Sequence, residues 1–428
     1  MLQSILPKVT KGVMPAKAGI QSSSAKSYLD TSLRWYDNVI CVLVLLLGFN
    51  LSATPMEDTF GAGARNKALA GAATPIADDY TAAFYNPALL ALCRGSRLSV
   101  GYDFVHTGLK PELTKENMNQ LGNYSSISMG FCLKPLNQVG IGLYSNFSMG
   151  PIEFSPSTAK TEPTYVLYGP DLKAFSMMAS AGYAPIKQFA IGVGMSLASG
   201  VNMRTIADIF PAQGGKVSAS FPSQITPILG GIVGVIGVPL EDWRLSLVYR
   251  SATFGQINIK LDQKLAGLDV AAAEIEGFLS YSPHQIALGS SYLLASKWLF
   301  TGDLTLYFWQ NYPGPFLLIT SNNFKEPISA PGSANFSNIV VPRFGIEYGP
   351  WNGLKFRGGY SFRPTPATGG NKSLIDASAQ RVAVGLGYEF QLYQNIFLTA
   401  DAFFSADILH DGRGSAINTG LVIGAEYD

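Results

Sequence analysis

The feature that most constrains the fold is a period of two in the hydropathy of the chain after residue 94. The run Arg381–Phe390 is the clearest case: its even-numbered residues are all apolar, and its odd-numbered residues are Arg, Ala, Gly, Gly and Glu. Residues 343–348 and 354–362 repeat this pattern. It predicts β-strands with one apolar face and one polar, glycine-rich face. In a soluble sandwich the apolar faces would form a core, whereas in an outer-membrane barrel they contact lipid and the polar faces line the lumen.

The lengths of the connections distinguish between these two folds. We identify fourteen strands, near residues 95–107, 123–135, 138–149, 172–185, 188–201, 224–238, 242–259, 283–295, 297–310, 339–349, 353–363, 380–391, 394–406 and 417–427. Long and short connections alternate strictly between them, which is the arrangement of outer loops and periplasmic turns in a bacterial barrel. The predicted fold class is therefore all-β: a 14-stranded antiparallel transmembrane β-barrel over residues 95–428.

The composition agrees with a membrane barrel and disfavours nucleic acid as a partner. Only 14% of residues are charged and the mean hydropathy is +0.18. Beyond one N-terminal candidate, no stretch approaches the ~18 apolar residues of a transmembrane helix, so a closed barrel is the remaining way to cross a bilayer. Lys and Arg (30) balance Asp and Glu (29) and form no basic block, so we expect no nucleic-acid binding.

The first 53 residues have the features of a signal peptide with an unusual upstream extension. Residues 39–49 form a short apolar core, and Ser52-Ala53 provides a small-residue cleavage site. We expect cleavage after Ala53. More than thirty residues precede the apolar core, so we expect the true start near residues 33–39 and exclude residues 1–53 from the fold prediction.

Residues 61–92 lack a strand period and contain eleven Ala and three Gly. Small residues of this kind suit a compact plug packed inside the barrel lumen. We call this plug the hatch and predict it at residues 54–94. The alternative is a helical extension on the periplasmic side.

The hatch segment resembles the N-terminal hatch of the outer-membrane long-chain fatty acid and hydrocarbon transporter family (FadL/TodX type, OMPP1). The matching residues are Phe60–Arg65, Ala70–Ala72, Ile76–Asp79 and Tyr85–Ala88. Further matches follow in order along the barrel: Asp242–Ser251, Asp303 with Trp309, Arg343 with Glu347 and Tyr348, and Arg357–Pro366. The resemblance implies a plugged 14-stranded barrel. It also implies these hatch residues: Asp78, Asp79, Asn86, Pro87 and Ala88.

The same resemblance implies a function. We expect outer-membrane uptake of hydrophobic small molecules, either long-chain fatty acids or hydrocarbons, by passive diffusion. The expected partners are the hydrophobic ligand, outer-membrane lipid and the barrel-assembly machinery, with the chain acting as a monomer. Two alternatives stay open: a structural or secretion-accessory barrel that binds a protein, and a polar porin, which a small-residue hatch disfavours.

Candidate catalytic and metal-binding residues are sparse. His106, His284 and His410 lie at strand ends with no carboxylate or Cys at ligand spacing, and no G-x-S-x-G elbow joins a strand to a helix. We therefore expect no enzyme activity, no metal and no cofactor. An embedded lipase or protease is the alternative.

Charged residues on the polar strand faces are expected to line the lumen. They are Arg244, Arg250, Arg343, Glu347, Lys355, Arg357, Arg381, Glu389 and Asp401. We expect them to pair across strands and with the hatch, because opposite signs already neighbour each other on adjacent late strands. The alternative is that one arginine binds a substrate carboxylate, and the sequence does not single that arginine out.

An apolar stripe marks the long connection 260–281 as the candidate element for ligand capture. Apolar residues recur there at steps of four and three, which predicts one face of an amphipathic helix. They are Leu261, Leu265, Leu268, Ala272, Ile275 and Leu279. We assign all of them except Ala272 as substrate-binding residues of a groove at the barrel mouth. The alternative is that the stripe packs on the neighbouring loop 202–223.

Two cysteines, Cys93 and Cys132, remain after the expected cleavage. Cys93 immediately precedes the first strand and Cys132 lies near the periplasmic end of the second, so the two are expected to be close in space. Because the periplasm is oxidising, we predict a disulfide between them. The alternative is two independent buried thiols.

Overall fold

In the computed structural model, one β-sheet closes on itself around an internal N-terminal segment. The structure describes residues 56–109, 120–148, 175–210, 216–220, 223–265, 268–311, 317–321, 328–329, 336–351, 353–366, 368, 378–410 and 414–427. The predicted signal peptide lies outside these residues.

Nineteen strands lie within the described residues. Their bounds are β1 (Ser96–Leu109), β2 (Gln120–Leu136), β3 (Val139–Ser148), β4 (Phe175–Ile186), β5 (Phe189–Phe210), β6 (Lys216–Ser220), β7 (Ser223–Leu240), β8 (Trp243–Arg250), β9 (Thr253–Leu265), β10 (Leu268–Ser282), β11 (Gln285–Leu294), β12 (Trp298–Tyr307), β13 (Leu317–Ser321), β14 (Ile328–Ser329), β15 (Ile339–Trp351), β16 (Leu354–Arg363), β17 (Ala379–Tyr393), β18 (Ile396–Leu409) and β19 (Gly414–Tyr427).

Fourteen of these strands form the barrel wall. Each is antiparallel to the next in the order β1, β2, β3, β4, β5, β7, β8, β11, β12, β15, β16, β17, β18 and β19. The last strand closes the ring, because β19 pairs with β1 from Tyr427 opposite Ser96 to Gly414 opposite Leu109. Closure leaves no open strand edge in the hydrocarbon layer, as a spanning sheet requires. The predicted 14-stranded antiparallel barrel is confirmed.

Side-chain burial along the wall is the reverse of that in a soluble sandwich. In β1 the side chains of Leu98, Val100, Tyr102 and Phe104 are 39–60% exposed, whereas the residues between them are buried. Along β17 the even-numbered apolar residues are likewise exposed. The apolar faces therefore point toward lipid and the polar faces toward the lumen.

The two ends of the barrel differ in their connections. Short turns of two or three residues at 137–138, 187–188, 241–242, 295–297 and 394–395 join neighbouring wall strands at one end. We call this end periplasmic and the opposite end outer, because bacterial barrels have their short turns in the periplasm.

The remaining five strands, β6, β9, β10, β13 and β14, extend the connections at the outer end. The helix predicted over 260–281 is wrong, because β9 runs to Leu265, β10 begins at Leu268, and the two pair as an antiparallel hairpin. β9 also runs parallel to the outer part of β5, and β10 pairs with β13. This tertiary pairing supplies the backbone hydrogen bonds that a helix would have made internally, and Gly267 disfavours a continuous helix.

The hatch forms four short helical segments. They are α1 (Met56–Phe60), α2 (Ala64–Ala68), α3 (Ala82–Tyr85) and a 3₁₀ helix over Pro87–Leu92. Between residues 62 and 91 every residue except Arg65 and Asp78 is buried. None of the helices in the described part of the chain is long and apolar enough to cross a membrane.

Glycines on the inner face of the wall let the hatch backbone approach closely. A Cβ atom at Gly140 would collide with the backbone of Leu90, and one at Gly359 would collide with the backbone of Leu69. The glycine-rich face of the strands is therefore the surface on which the hatch packs. The alternative of a hatch segment extending into the periplasm does not fit these contacts.

We predict that the barrel folds without its hatch. Deleting residues 54–92 should leave a barrel whose gel mobility still shifts on heating, because each wall strand is paired on both sides with other wall strands and does not need the hatch to complete the ring. The emptied lumen should then conduct ions in planar bilayers, whereas the complete chain should not. A deletion variant that folds without added conductance, or that does not fold at all, would contradict the prediction.

Candidate functional site

Buried ion pairs tie the hatch to the barrel wall. Nε of Arg65 lies 2.9 Å from Oε2 of Glu347, and Nε of Arg357 lies 2.6 Å from the same oxygen. A second pair joins Nζ of Lys67 to Oδ2 of Asp103 at 2.8 Å. The sequence predicts that lumen charges pair with one another and with the hatch, and these contacts agree with that prediction. Because each of these charges has a partner of opposite sign, it can be held away from bulk water.

Asp303 of β12 holds the middle of the hatch. Its carboxylate accepts hydrogen bonds from the Ala73 N–H at 2.9 Å, the Thr74 N–H at 3.1 Å and the Thr74 hydroxyl at 2.7 Å. Sequence reasoning noted Asp303 only as part of the family resemblance. Its role depends on a contact between residues 229 positions apart, which no local pattern reveals.

The two predicted hatch aspartates have different surroundings. The side chain of Asp78 is 51% exposed and lies 2.8 Å from Nη1 of Arg65. Asp79 is buried and accepts the Thr81 N–H at 2.9 Å, immediately before α3. Asp79 is therefore part of a local turn, whereas Asp78 faces the periplasmic side of the hatch.

The other predicted hatch residues form the start of the 3₁₀ helix. Oδ1 of Asn86 accepts the Ala88 N–H at 3.1 Å and caps the helix, while Pro87 occupies its first position. Nδ2 of Asn86 donates to the carbonyl oxygens of Thr74 (3.1 Å) and Val235 (3.3 Å). Asn86 thus joins two parts of the hatch to the wall.

A chamber lies between the hatch and the outer connections. It consists of two adjoining cavities of about 590 and 820 Å³, including the solvent at their mouths, which share Tyr307, Arg343 and Arg381 in their walls. Phe84 and Tyr85 of the hatch line the inner cavity. We call the two cavities together the luminal chamber.

Aromatic and aliphatic side chains form one wall of the luminal chamber. The rings of Trp309 and Tyr281 line the chamber with their centroids 5.8 Å apart, and the ring of Phe336, which is not part of the lining, lies 6.1 Å from that of Trp309. Ile339 and Val341 continue this wall. The arrangement offers an apolar surface inside a lumen whose strand faces are otherwise polar.

Two arginines of the luminal chamber are neutralised by carboxylates. Nη1 of Arg250 lies 2.9 Å from Oδ1 of Asp58, and Nε of Arg381 lies 2.6 Å from Oδ1 of Asp407. Their charges are committed to the hatch and to a neighbouring strand.

Arg343 differs from these two arginines. Its guanidinium donates to the hydroxyls of Thr305 at 2.6 Å and Tyr307 at 2.8 Å, and no carboxylate of the described residues lies within ion-pair distance of it. A cation held by neutral hydroxyls keeps its capacity to bind an anionic group.

Glu57 of α1 is a buried acid beside the chamber. It is 2% exposed, it accepts a short hydrogen bond from the Ser176 hydroxyl, and its Oε2 atom has no partner among the described residues. The amide oxygen of Asn146 likewise lacks a partner. Burial raises the pKa of Glu57 above its usual range, although the Ser176 hydrogen bond opposes that shift.

The residues predicted for ligand capture lie on the outer hairpin. The backbones of Leu261 and Leu265 belong to β9, and those of Leu268, Ile275 and Leu279 belong to β10. A strand has a period of two, so the single helical face on which the assignment depended is absent. Their role in binding stays a prediction. Sequence reasoning missed Tyr281, Trp309 and Phe336 as site residues, because distant strands and connections bring them together.

Cys93 and Cys132 are both buried and unbridged in the structure. The Sγ atom of Cys93 lies 3.6 Å from the carbonyl oxygens of Asp78 and Leu89. A hydrogen bond with the Cys132 side chain, together with burial, raises the pKa of the Cys93 thiol. The two thiols are therefore neighbours, and the disulfide predicted from the sequence stays a prediction for the oxidised protein.

No three His, Cys, Asp or Glu side chains of the described ranges are arranged to hold a metal ion.

A family model described as "Outer membrane protein transport protein (OMPP1/FadL/TodX)" matches residues 48–420. The chain belongs to this family. It is accordingly a bacterial outer-membrane transport protein, and the resemblance seen in the sequence is confirmed.

One curated relative of this OMPP1/FadL/TodX member is alkane uptake protein A of Marinobacter nauticus. The two are 25% identical over 346 residues, which cover 72% of this chain and 73% of the relative.

Solved structures of the family share the fold. A FadL homologue of Pseudomonas aeruginosa aligns over 89% of this chain and 99% of its own, with a TM-score of 0.59 at 15% identity. The toluene transporter TodX of Pseudomonas putida aligns over 86% and 99%, with a TM-score of 0.54 at 14% identity. The toluene transporter TbuX of Ralstonia pickettii aligns over 86% and 99%, with a TM-score of 0.55 at 17% identity.

We predict that Glu57→Gln strengthens the seating of the N-terminal part of the hatch at neutral pH. A raised pKa in the folded state means that the contribution of Glu57 to stability is greatest below its unfolded pKa and is lost as pH rises through the folded pKa. Glutamine keeps an acceptor for Ser176, removes the charge and adds a donor for Asn146. Hydrogen exchange of residues 56–60, corrected for intrinsic rates, should show a gain on the order of 1 kcal/mol at pH 7.5.

The gain should shrink at pH 4, where the wild-type carboxyl is protonated. Equal protection of the two proteins at both pH values would show that Glu57 is not buried as a charge-sensitive group.

The cysteine pair gives a separate prediction. Protein isolated from outer membranes without reductant and then denatured should not react with an alkylating reagent at Cys93 or Cys132, because adjacent thiols are oxidised in the periplasm. Both should react after reduction, and a Cys132→Ser control should leave one thiol that reacts without reduction. Two labelled cysteines in the unreduced wild-type protein would refute the disulfide.

Proposed function

We propose that this chain takes up hydrophobic small molecules across the outer membrane by passive diffusion through the luminal chamber and past the hatch. The observation that carries the proposal is the apolar surface that Tyr281, Trp309 and Ile339 form in the luminal chamber, inside an otherwise polar lumen. A water-filled polar pore would not solvate a lipid-like molecule, whereas an apolar surface inside the barrel lowers the cost of leaving the membrane or the outer loops.

The proposed path has three stages. A ligand is captured at the outer connections, where β9 and β10 carry the leucines and isoleucine assigned from the sequence. It then moves into the luminal chamber and contacts the aromatic wall. Release follows when the hatch shifts or the wall opens sideways. No bond is made or broken in the ligand, so the proposal assigns no enzymatic step to the chain.

The substrate class that we propose includes both neutral hydrocarbons and fatty acids. The names of the relatives support hydrocarbons, since they describe uptake of alkanes and transport of toluene. Arg343 supports fatty acids as well, because its guanidinium lies in the chamber wall and is bonded to hydroxyls rather than to a carboxylate.

Remaining partners belong to the same proposal. We infer that the chain is inserted into the outer membrane by the barrel-assembly machinery and works there as a monomer surrounded by lipid. The complete ring of wall strands supports a monomer, since no strand edge is left to pair with a second copy.

We predict that Trp309→Ala weakens binding of decanoate and decanol to a similar extent. The substitution removes part of the apolar wall that both ligands would contact, so affinity should fall about tenfold for each. Binding to the detergent-purified protein measures the affinity, and uptake of labelled decanoate by a Gram-negative host lacking transporters of this family measures transport. An unchanged affinity for both ligands would remove the luminal chamber from the path.

Arg343→Gln should separate the two ligands. Loss of a charge-assisted hydrogen bond should weaken decanoate binding about tenfold and leave decanol binding within twofold of wild type. Arg343→Lys is the control that keeps the charge. Equal loss for both ligands would show that Arg343 acts through packing instead of binding the carboxylate.

Conductance and uptake measurements on the wild-type protein distinguish uptake of hydrophobic molecules from the two alternative functions. A polar porin would give large steady conductance steps in planar bilayers, and a barrel that serves only to bind a protein would leave decanoate uptake unchanged when it is expressed. Either result would overturn the proposed uptake function.

A further inference from the structure

A second cavity lies on the periplasmic side of the hatch, opposite the luminal chamber. Its volume is about 760 Å³, including the solvent at its mouth. Asp78 and Leu92 of the hatch line its roof, and Arg244, Lys355 and Tyr388 belong to the wall around it. We call it the periplasmic cavity. A molecule that passed the hatch toward the periplasm would leave through this space.

Positive charge predominates around the periplasmic cavity. Six cationic and four acidic side chains line it: Arg65, Arg94, Arg97, Arg244, Lys355, Arg357, Asp78, Glu389, Asp401 and Glu426. Glu347 lies behind the lining and is in ion-pair contact with both Arg65 and Arg357. The cavity-lining side chains and the carboxylate in ion-pair contact with them are therefore six cations and five acids, an excess of one positive charge.

The uncompensated charge is localised by the ion pairs. Each of the other lining cations has a carboxylate within ion-pair distance, as in the pairs of Lys355 with Glu389 at 3.7 Å and Arg97 with Asp401 at 3.9 Å. Arg244 makes no hydrogen bond or ion pair with any residue that the structure describes. It lies three positions after the turn residue Glu241, on the inward-facing side of β8.

A second unused donor supports a ligand at this place. Nη2 of Arg97 donates to the Thr399 hydroxyl at 2.7 Å, but Nε of Arg97 is buried and has no partner among the described residues. A guanidinium whose N–H groups are not all satisfied is suited to a planar oxyanion, which it can bind through parallel hydrogen bonds.

We propose that the periplasmic cavity is an exit site, centred on Arg244, which binds the carboxylate head group of an amphiphile that has passed the hatch. The inference rests on the proposed uptake function and adds to it a second binding site, which is specific for a carboxylate. A carboxylate carries one negative charge, which matches the single uncompensated cation of the cluster, whereas a phosphate dianion would leave the cluster negative. Neutral hydrocarbons would pass without using the site.

Binding of [1-¹³C]butyrate tests the site directly. Butyrate has the carboxylate but too short a chain to depend on the aromatic wall, and it can reach the cavity from the periplasmic mouth. Its ¹³C resonance is titrated with detergent-purified, full-length mature protein carrying Arg343→Gln, so that the arginine of the luminal chamber does not contribute. Adding Arg244→Gln should weaken butyrate binding about tenfold, as expected for the loss of one charge-assisted contact. Adding Arg244→Lys should retain binding to within about threefold.

Three controls make the result specific. Lys187→Gln removes an exposed positive charge from a turn at the same end of the barrel but outside the cavity, and it should leave butyrate affinity unchanged. Heat-dependent gel mobility confirms that each variant is folded. Inorganic phosphate is added as a competitor, and it should displace butyrate only weakly.

Two results would overturn the exit site. One is equal butyrate affinity with arginine or glutamine at position 244, and the other is stronger binding of phosphate than of butyrate, which would assign the cavity to a free inorganic anion. Decanol binding to the wild-type protein separates this outcome from failure of the proposed function. If decanol binds and butyrate does not depend on Arg244, the luminal chamber stands and only the exit site fails.

Discussion

The hydrogen-bonding requirement of the backbone governs this structure. A bilayer offers no partners to peptide groups, so a β-sheet that crosses it must pair every strand on both sides. The pairing of β19 with β1 meets this requirement and makes the wall a ring. A ring has an interior, however, and its inward strand faces carry serine, glycine, arginine and acidic residues. Filling and satisfying that polar interior is the task of the hatch.

The hatch meets the interior in two different ways. Where it packs, as at Gly359 and Gly140, the wall has no side chains and backbone lies against backbone. Where it bonds, as at Glu347 and Asp303, a wall carboxylate accepts donors from the hatch. Two wall arginines have no carboxylate within ion-pair distance among the described residues, and they lie on opposite sides of the hatch. Arg343 is on the outer side and Arg244 is on the periplasmic side. The lumen therefore presents a cation at each face of its plug.

The sequence predicts the wall far better than the site. Period-two alternation and the sorting of loop lengths are properties of neighbouring residues, and they are sufficient to place all the wall strands and the faces of runs such as Arg381–Phe390. The outer hairpin was misread as a helix, because its spacing of leucines suits a helix, while its pairing with β5 and β13 is set by remote strands.

The binding residues show the same limit. Nothing local distinguishes Arg343 from Arg381: both are inward-facing arginines on late strands, and only the barrel brings a carboxylate to one and hydroxyls to the other. Tyr281, Trp309 and Phe336 likewise form an aromatic cluster only when three separate parts of the chain converge.

The close fit at the inner-wall glycines has a consequence for how such proteins can be recombined. Gly140 and Gly359 leave room for the hatch backbone only along the path that it takes in this protein. A hatch whose backbone followed a different path would meet wall side chains at positions where the close approach requires glycine. Hatch and wall should therefore be exchangeable only as a matched set, and a barrel given a foreign hatch would require new glycines in its wall wherever the backbone of that hatch comes close.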